Sequence, residues 1–204
     1  MTKLKGILLT EGMHGMISQV EGLAKALDIN YSHHTVETKG FWKVIPPKFT
    51  PISDSVFKKI ECEDVDLIIS CGRKSIIPSL FLKKNSKKKV FNIHIQNPKI
   101  KLDNFDLVVV PEHDNLDGDN VLKTKGAIHY LTSEEIEKDK EYLFSISSKL
   151  RDKNIISLII GGPTQYYDYS DRNIQEIFSK VNYLVKKNNL NLVVIPSMRT
   201  PKGT

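Results

Sequence analysis

Five short apolar runs, each stopped by a polar signature, constrain this chain more than any other feature. Val65-Asp66-Leu67-Ile68-Ile69 leads into Ser70-Cys71-Gly72-Arg73-Lys74-Ser75, and Val90-Phe91-Asn92-Ile93-His94-Ile95 into Gln96-Asn97-Pro98. Asp106-Leu107-Val108-Val109-Val110 precedes Pro111-Glu112-His113-Asp114. Ile155-Ile156-Ser157-Leu158-Ile159-Ile160 precedes Gly161-Gly162-Pro163-Thr164, and Leu192-Val193-Val194-Ile195-Pro196 precedes Ser197-Met198-Arg199-Thr200-Pro201. Runs of this kind read as strands buried on both faces, as when helices cover a parallel sheet. Open α/β sheets bind ligands in the crevice at the carboxyl ends of their strands. The five signatures therefore describe a binding cleft at one sheet edge.

The stretches between the runs fit the same architecture. Residues 6–10 read as a first strand and Glu11-Gly12-Met13-His14-Gly15-Met16 as a turn. Ile17, Val20, Leu23, Ala24 and Leu27 then repeat at helical spacing. In this reading residues 33–37 form a strand, 41–52 a loop with Pro46, Pro47 and Pro51, and 53–60 a helix. Residues 75–84 are helical and 120–124 form a short strand. Thr132-Ser133-Glu134-Glu135 opens a helix with an N-cap and early acids, running to residue 150. Strand 155–160, helix 170–187 and strand 191–195 complete the alternation, which spells a doubly wound α/β fold. Residues 1–131 should form one Rossmann-like domain. Residues 132–204 should form a linker helix and an incomplete second Rossmann-like unit, because a single β-α-β with a short tail cannot enclose a core.

Charge tempts towards nucleic acid, with 30 Lys and Arg against 24 Asp and Glu and a net +6. Only Arg73, Arg151, Arg172 and Arg199 are arginines, however. Base readout and phosphate forks favour arginine, so the lysine excess reads as compositional bias and no nucleic-acid partner is expected. The run Lys83-Lys84-Asn85-Ser86-Lys87-Lys88-Lys89 suits a helix C-terminus, where cations complement the dipole. No apolar run approaches the roughly 18 residues of a spanning helix, and the first residues lack a secretory pattern. A cytoplasmic chain is expected, with peripheral association at the inner face of the membrane as an option. Phe41-Trp42-Lys43-Val44-Ile45-Pro46-Pro47-Lys48-Phe49 mixes aromatics with lysines, as a patch on an anionic membrane does. The same loop could instead cover the sheet edge with Trp42 packed inward. Cys62 and Cys71 suggest neither a disulfide framework nor a metal site, and no cofactor is expected.

Several ordered motifs carry a resemblance. Thr10-Glu11-Gly12, Gly15 with Gln19, Gly22-Leu23-Ala24-Lys25-Ala26-Leu27 and Cys71-Gly72-Arg73-Lys74-Ser75 begin it. Gln96-Asn97-Pro98, Phe105 through Asp114, Asn120-Val121, Gly126-Ala127, Ile160-Gly161-Gly162-Pro163 and Ser197 with Arg199-Thr200-Pro201 continue it. Together they resemble the mitochondrial fission Elm-type family. The resemblance implies a glycosyltransferase-B-like architecture of two Rossmann-like domains, with an acceptor-side domain at residues 1–131 and a partial donor-side domain within 132–204. It also implies truncation at the C-terminus, the missing portion being encoded separately, and Met198 departs from the arginine usual in the family.

With the resemblance, each motif takes a candidate role. Gly161, Gly162 and Thr164 would bind a nucleotide diphosphate between a strand and a helix start, with Ser197 and Arg199 at the neighbouring strand end; a bare tight turn is the alternative. Gly15, Gln19, Cys71, Gly72, Arg73, Gln96 and Asn97 would line the substrate side, although Cys71 also suits packing and Asn97-Pro98 a turn. Glu112, His113 and Asp114 are the acid–base candidates, with His14 as a rival base, while His94 suits the core. The leading function is sugar transfer from a nucleotide-sugar to an envelope or lipid-linked acceptor. A non-catalytic adaptor on an anionic membrane surface is the alternative. A nucleotide-sugar epimerase fits worse, for want of the glycine fingerprint and a Tyr-x-x-x-Lys pair.

Overall fold

Strand β1 (Lys5–Thr10) carries Ile7, Leu8 and Leu9 in succession, all fully buried. Successive side chains of a strand face opposite ways, so both faces of β1 are covered. Strands β3 (Leu67–Cys71), β4 (Phe91–Ile95) and β5 (Leu107–Pro111) are built likewise. With β2 (Asn30–Thr35) and β6 (Val121–Thr124) at its edges, they form a six-stranded sheet in the order β2-β1-β3-β4-β5-β6. Every neighbouring pair is parallel. The computed structural model describes residues 3–62, 64–164, 167 and 170–201, and its fold is the expected Rossmann-like α/β type.

Helix α1 (His14–Ala26) covers one sheet face, where Val20 and Ala24 meet Leu8, Ile69 and Val109. Helix α2 (Ile76–Asn85) covers the other, where Ile76, Ile77 and Leu80 meet Ile7, Ile68 and Val108. Residues 53–60 are not the helix expected. Only Asp54–Val56 turns, as a short 3-10 segment, and Phe57 is extended and bridges antiparallel to Thr38. Val56 and Phe57 are adjacent yet both are buried in the core. Backbone bonds from Lys39 to Val56 and from Lys58 to Glu37 hold this extended pairing. Tertiary burial overrides helical spacing here. Two further 3-10 segments, Gly40–Lys43 and Pro47–Phe49, interrupt the expected loop.

The lysine run ends α2 at the amino-terminal edge of the sheet. Lys83 pairs with Asp106 and Lys88 with Asp66, each at 2.7 Å. Both acids precede strands and also accept backbone amides, Asp106 from Asn92 and Asp66 from Lys5.

The chain divides into two compact units, Met1–Leu131 and Thr132–Thr204. The second contains α3 (Ser133–Ile146), a 3-10 turn (Ser148–Arg151), β7 (Ile155–Ile160), α4 (Asp171–Asn188) and β8 (Asn191–Pro196). Strands β7 and β8 pair in parallel as a separate two-stranded sheet. Helix α3 starts on a capping box between Thr132 and Glu135 and stops short of residue 150, because Ser147 is extended. Among the described residues of this unit Ile160 is the one buried apolar side chain, whereas Ile159 is 75% exposed. No helix among the described residues is long and apolar enough to cross a membrane.

Candidate ligand crevice at the strand ends

Strand order reverses between β1 and β3: the chain steps outward to β2 on one side and to β4, β5 and β6 on the other. Such a switch point splays the loops that leave the two central strands and opens a crevice at their carboxyl ends. After β1, Gly12 takes φ +83°, and its amide donates to the Thr10 hydroxyl at 3.1 Å. That hydroxyl also meets His33 Nε2 at 2.8 Å. Burial holds the His33 pKa below its ordinary value, assisted by His34 and opposed by Glu21.

The loop after β3 is bound to the loop after β1. Glu11 accepts the Lys74 backbone amide at 3.0 Å and pairs with Lys74 Nζ at 3.2 Å. Gly72 sits at φ +93°, and a Cβ there would lie 2.7 Å from Met16 Sδ and 3.0 Å from Glu11 Oε1. Glycine is therefore required twice, for conformation and for space. Arg73 reaches the other way, donating to the Lys43 carbonyl at 2.7 Å. Both α1 and α2 begin here with no side-chain cap and no acid in the first turn. The α1 dipole favours an anion, whereas the Glu11 carboxylate already holds the Lys74 amide in the 3-10 turn that leads into α2.

The remaining signatures of this unit stand along the same edge. Gln96 adopts φ +86°, unusual for a residue with a side chain, while its amide donates to Val109 at 2.8 Å. Backbone strain of this kind concentrates at functional sites. The Asn97 side chain instead accepts the Lys99 amide at 3.0 Å and closes a turn. Glu112, His113 and Asp114 form an exposed 3-10 turn after β5, with His113 Nε2 3.8 Å from an Asp114 oxygen. Two strand spacings, about 10 Å, separate this turn from the end of β3. Gly15 lies in the first turn of α1, and the Gln19 amide donates to its carbonyl at 3.0 Å.

Two residues belong to the core. Cys71 is fully buried among Ile69, Ile95 and Val109, and burial, with Glu11 adding to it, pushes its thiol up to about 12. Its role is packing, and a substrate contact through the thiol is set aside. His94 is buried against Phe105, with Nδ1 2.9 Å from the Ser70 hydroxyl, and burial lowers its pKa to about 3.

Within the second unit, Gly161-Gly162 and the turn Ser197-Met198-Arg199-Thr200 leave neighbouring parallel strands. The Thr200 hydroxyl donates to the carbonyls of Ile160 and Gly161, each at 2.9 Å. Ser197 donates its amide to Thr200 Oγ1 at 2.8 Å, and its own hydroxyl accepts the Arg199 amide at 3.2 Å. A Cβ on Gly162 would fall 2.2 Å from the Arg199 carbonyl oxygen. Close backbone packing thus accounts for this glycine before any phosphate does. Thr164 accepts the Tyr167 amide. Five signatures were expected on one edge; three stand on the six-stranded sheet and two on the β7–β8 pair.

A family model, mitochondrial fission ELM1, matches residues 14–204. The chain belongs to the mitochondrial fission ELM1 family. The match takes in α1, every strand after β1 and both units. The mitochondrial fission protein ELM1 of Arabidopsis thaliana is 35% identical over 48 residues, which are 24% of this chain and 11% of that protein's length. No solved structure matches.

Sequence reading named Gly72 and Arg73 in this ELM1-family chain but gave Glu11 no role in the site. Glu11 and Lys74 are 63 residues apart, and their spacing carries no periodic signal. Both fall in the quoted motifs. An acid directly after the first strand and a lysine directly after the third were the available clue, once the two strands were taken as neighbours.

Proposed function

We propose that this ELM1-family chain is glycosyltransferase-B-like, binds a nucleotide-sugar and serves an envelope or lipid-linked acceptor. The observation that carries this reading is the switch-point crevice: the α1 N-terminus without a side-chain cap, the Glu11–Lys74 pair that ties its two loops together and a strained Gln96 along one sheet edge. Such an edge suits a polyhydroxylated or phosphorylated ligand. In the proposed chemistry an acceptor hydroxyl attacks the anomeric carbon, the bond to the diphosphate breaks, and a protein base takes the hydroxyl proton. Glu112, His113 and Asp114, in the turn after β5, are the candidate bases, and His14, the first residue of α1, is the rival. Ser197 and Arg199 are the candidate diphosphate contacts on the second unit, taken by itself.

Titration calorimetry with UDP-N-acetylglucosamine and with UDP tests this. Weak binding is expected, reduced at least tenfold (about 1.4 kcal/mol) by Lys74→Met where the crevice of the first unit holds the ligand, or by Arg199→Ala where the strand ends of the second unit do. Gly162→Val is unsuitable, because the added side chain would collide with the Arg199 backbone. Absence of heat with either ligand, or affinities unmoved by both substitutions, would sink the proposal.

A further inference from the structure

The loop between β2 and β3 presents large apolar side chains that no other part of its unit covers. Phe41, Val44 and Phe49 are 65%, 73% and 68% exposed. Phe41 and Phe49 sit on the two consecutive 3-10 segments beside the crevice, and Val44 directly follows the first. Between them stand Lys43 and Lys48, and no acid occurs from residue 38 to residue 53. Lys48 lies over the Phe49 ring, 4.7 Å from its centroid.

The loop is also held in place. Trp42 packs against the core below, with its ring 4.3 Å from that of Phe41. Arg73 fixes the Lys43 carbonyl, and the Thr50 hydroxyl donates to the Pro46 carbonyl at 3.0 Å. Apolar tips displayed on a rigid base lose little entropy when they enter another phase. Aromatic and aliphatic tips interleaved with lysines match a lipid interface, where rings lie at headgroup depth and ammonium groups meet lipid phosphates. The core of a protein interface is instead depleted of charged residues, lysine among them.

We infer that Phe41, Val44 and Phe49, flanked by Lys43 and Lys48, dock this unit onto an anionic lipid surface with the switch-point crevice beside the headgroups. The inference stands whatever the crevice binds. It excludes the lysine run at 83–89 from the contact: that run lies at the opposite edge of the sheet, and Lys83 and Lys88 are ion-paired there.

Flotation with phosphatidylcholine vesicles, and with vesicles of equal parts phosphatidylcholine and phosphatidylglycerol, tests it at low salt. The chain should float with the anionic vesicles, and added salt should release it. Phe41→Asp with Phe49→Asp should cut the floated fraction about tenfold. Lys43→Glu with Lys48→Glu should also release it, without disturbing any packed residue. Lys84→Glu with Lys87→Glu, at the far edge, should leave it within about twofold. Melting curves verify that each variant is folded. The inference is overturned if no flotation occurs, if the folded loop variants float like the parent, or if only the far-edge pair matters. It is also overturned if sedimentation shows Phe41 and Phe49 buried in a dimer that the double substitution dissolves.

Discussion

At the scale of single residues, His94 has the clearest measurable consequence. It is buried in β4 with its pKa lowered to about 3, so the folded chain refuses a proton that the unfolded chain accepts near pH 6.5. Above that pH both states are neutral and the group adds no pH dependence. As pH falls below it the unfolded state gains protons, and stability drops by about 1.4 kcal/mol per pH unit until the folded pKa is approached. Asp66 and Asp106 act in a lower window. The Lys5 amide and Lys88 hold Asp66 below its ordinary value; for Asp106, burial raises the pKa, but Lys83 and the Asn92 amide more than offset it. Their contribution is lost only as pH falls below about 4. Urea unfolding should therefore show a loss on the order of 2–3 kcal/mol between pH 6.5 and 4.5. His94→Leu should remove most of it, leaving a smaller slope of the same sign from His33. Parallel curves for the parent and the variant would refute the assignment.

At the scale of elements, α1 is tied to the rest of its unit through a glycine. A Cβ on Gly22 would lie 2.5 Å from the carbonyl carbon and oxygen of His129, so the segment before α3 crosses the helix where no side chain stands. The crossing is reinforced by Lys25, 4.9 Å over the ring of Tyr130. Gly22→Ala should cost about 1–3 kcal/mol through forced backbone movement. Gly15 occupies the same helix with nothing within 4 Å of its absent Cβ. Gly15→Ala should be neutral or stabilise by up to about 1 kcal/mol, as helix propensity dictates. Equal melting temperatures for the two variants would show that the crossing carries no load. If Gly15→Ala weakens UDP-sugar binding while raising stability, the glycine is there for a ligand's approach.

At the scale of the whole molecule, apolar burial is unequal between the two units. Among the described residues every buried apolar side chain except Ile160 precedes Leu131, and Ile155, Ile159, Ile177, Leu184, Val194 and Ile195 of the second unit are exposed. Two paired strands with the helices α3 and α4 bury too little apolar surface here for independent stability, which usually takes three strands or more. A chain ending at Leu131 should unfold in one cooperative transition near the midpoint of the parent. Residues 132–204 alone should melt without a sharp transition by circular dichroism. A cooperative melt of that second fragment would contradict the reading.

The buried strands, their parallel character and the polar signatures at their ends could be read from the chain, because burial on both faces leaves runs such as Leu107-Val108-Val109-Val110 that no other environment favours, whereas the largely exposed edge strand β2 runs over Asn30–Thr35 and not the expected 33–37. Those are local properties, written in consecutive residues. The extended pairing of Thr38 with Phe57 was not legible, since it depends on two core positions that residues 53–60 reach only after β1 and β3 are side by side. Nor was the pairing of Glu11 with Lys74, which follows from strand order and not from spacing. The lysines at 83–89 read as a cationic run, and only the fold sets them against Asp66 and Asp106. The sequence by itself determined which segments become strands and which residue types stand at their ends, because hydrophobic burial acts on each run alone. Which ends become neighbours was decided by the tertiary structure, because that choice rests on packing free energy shared among segments far apart in the chain.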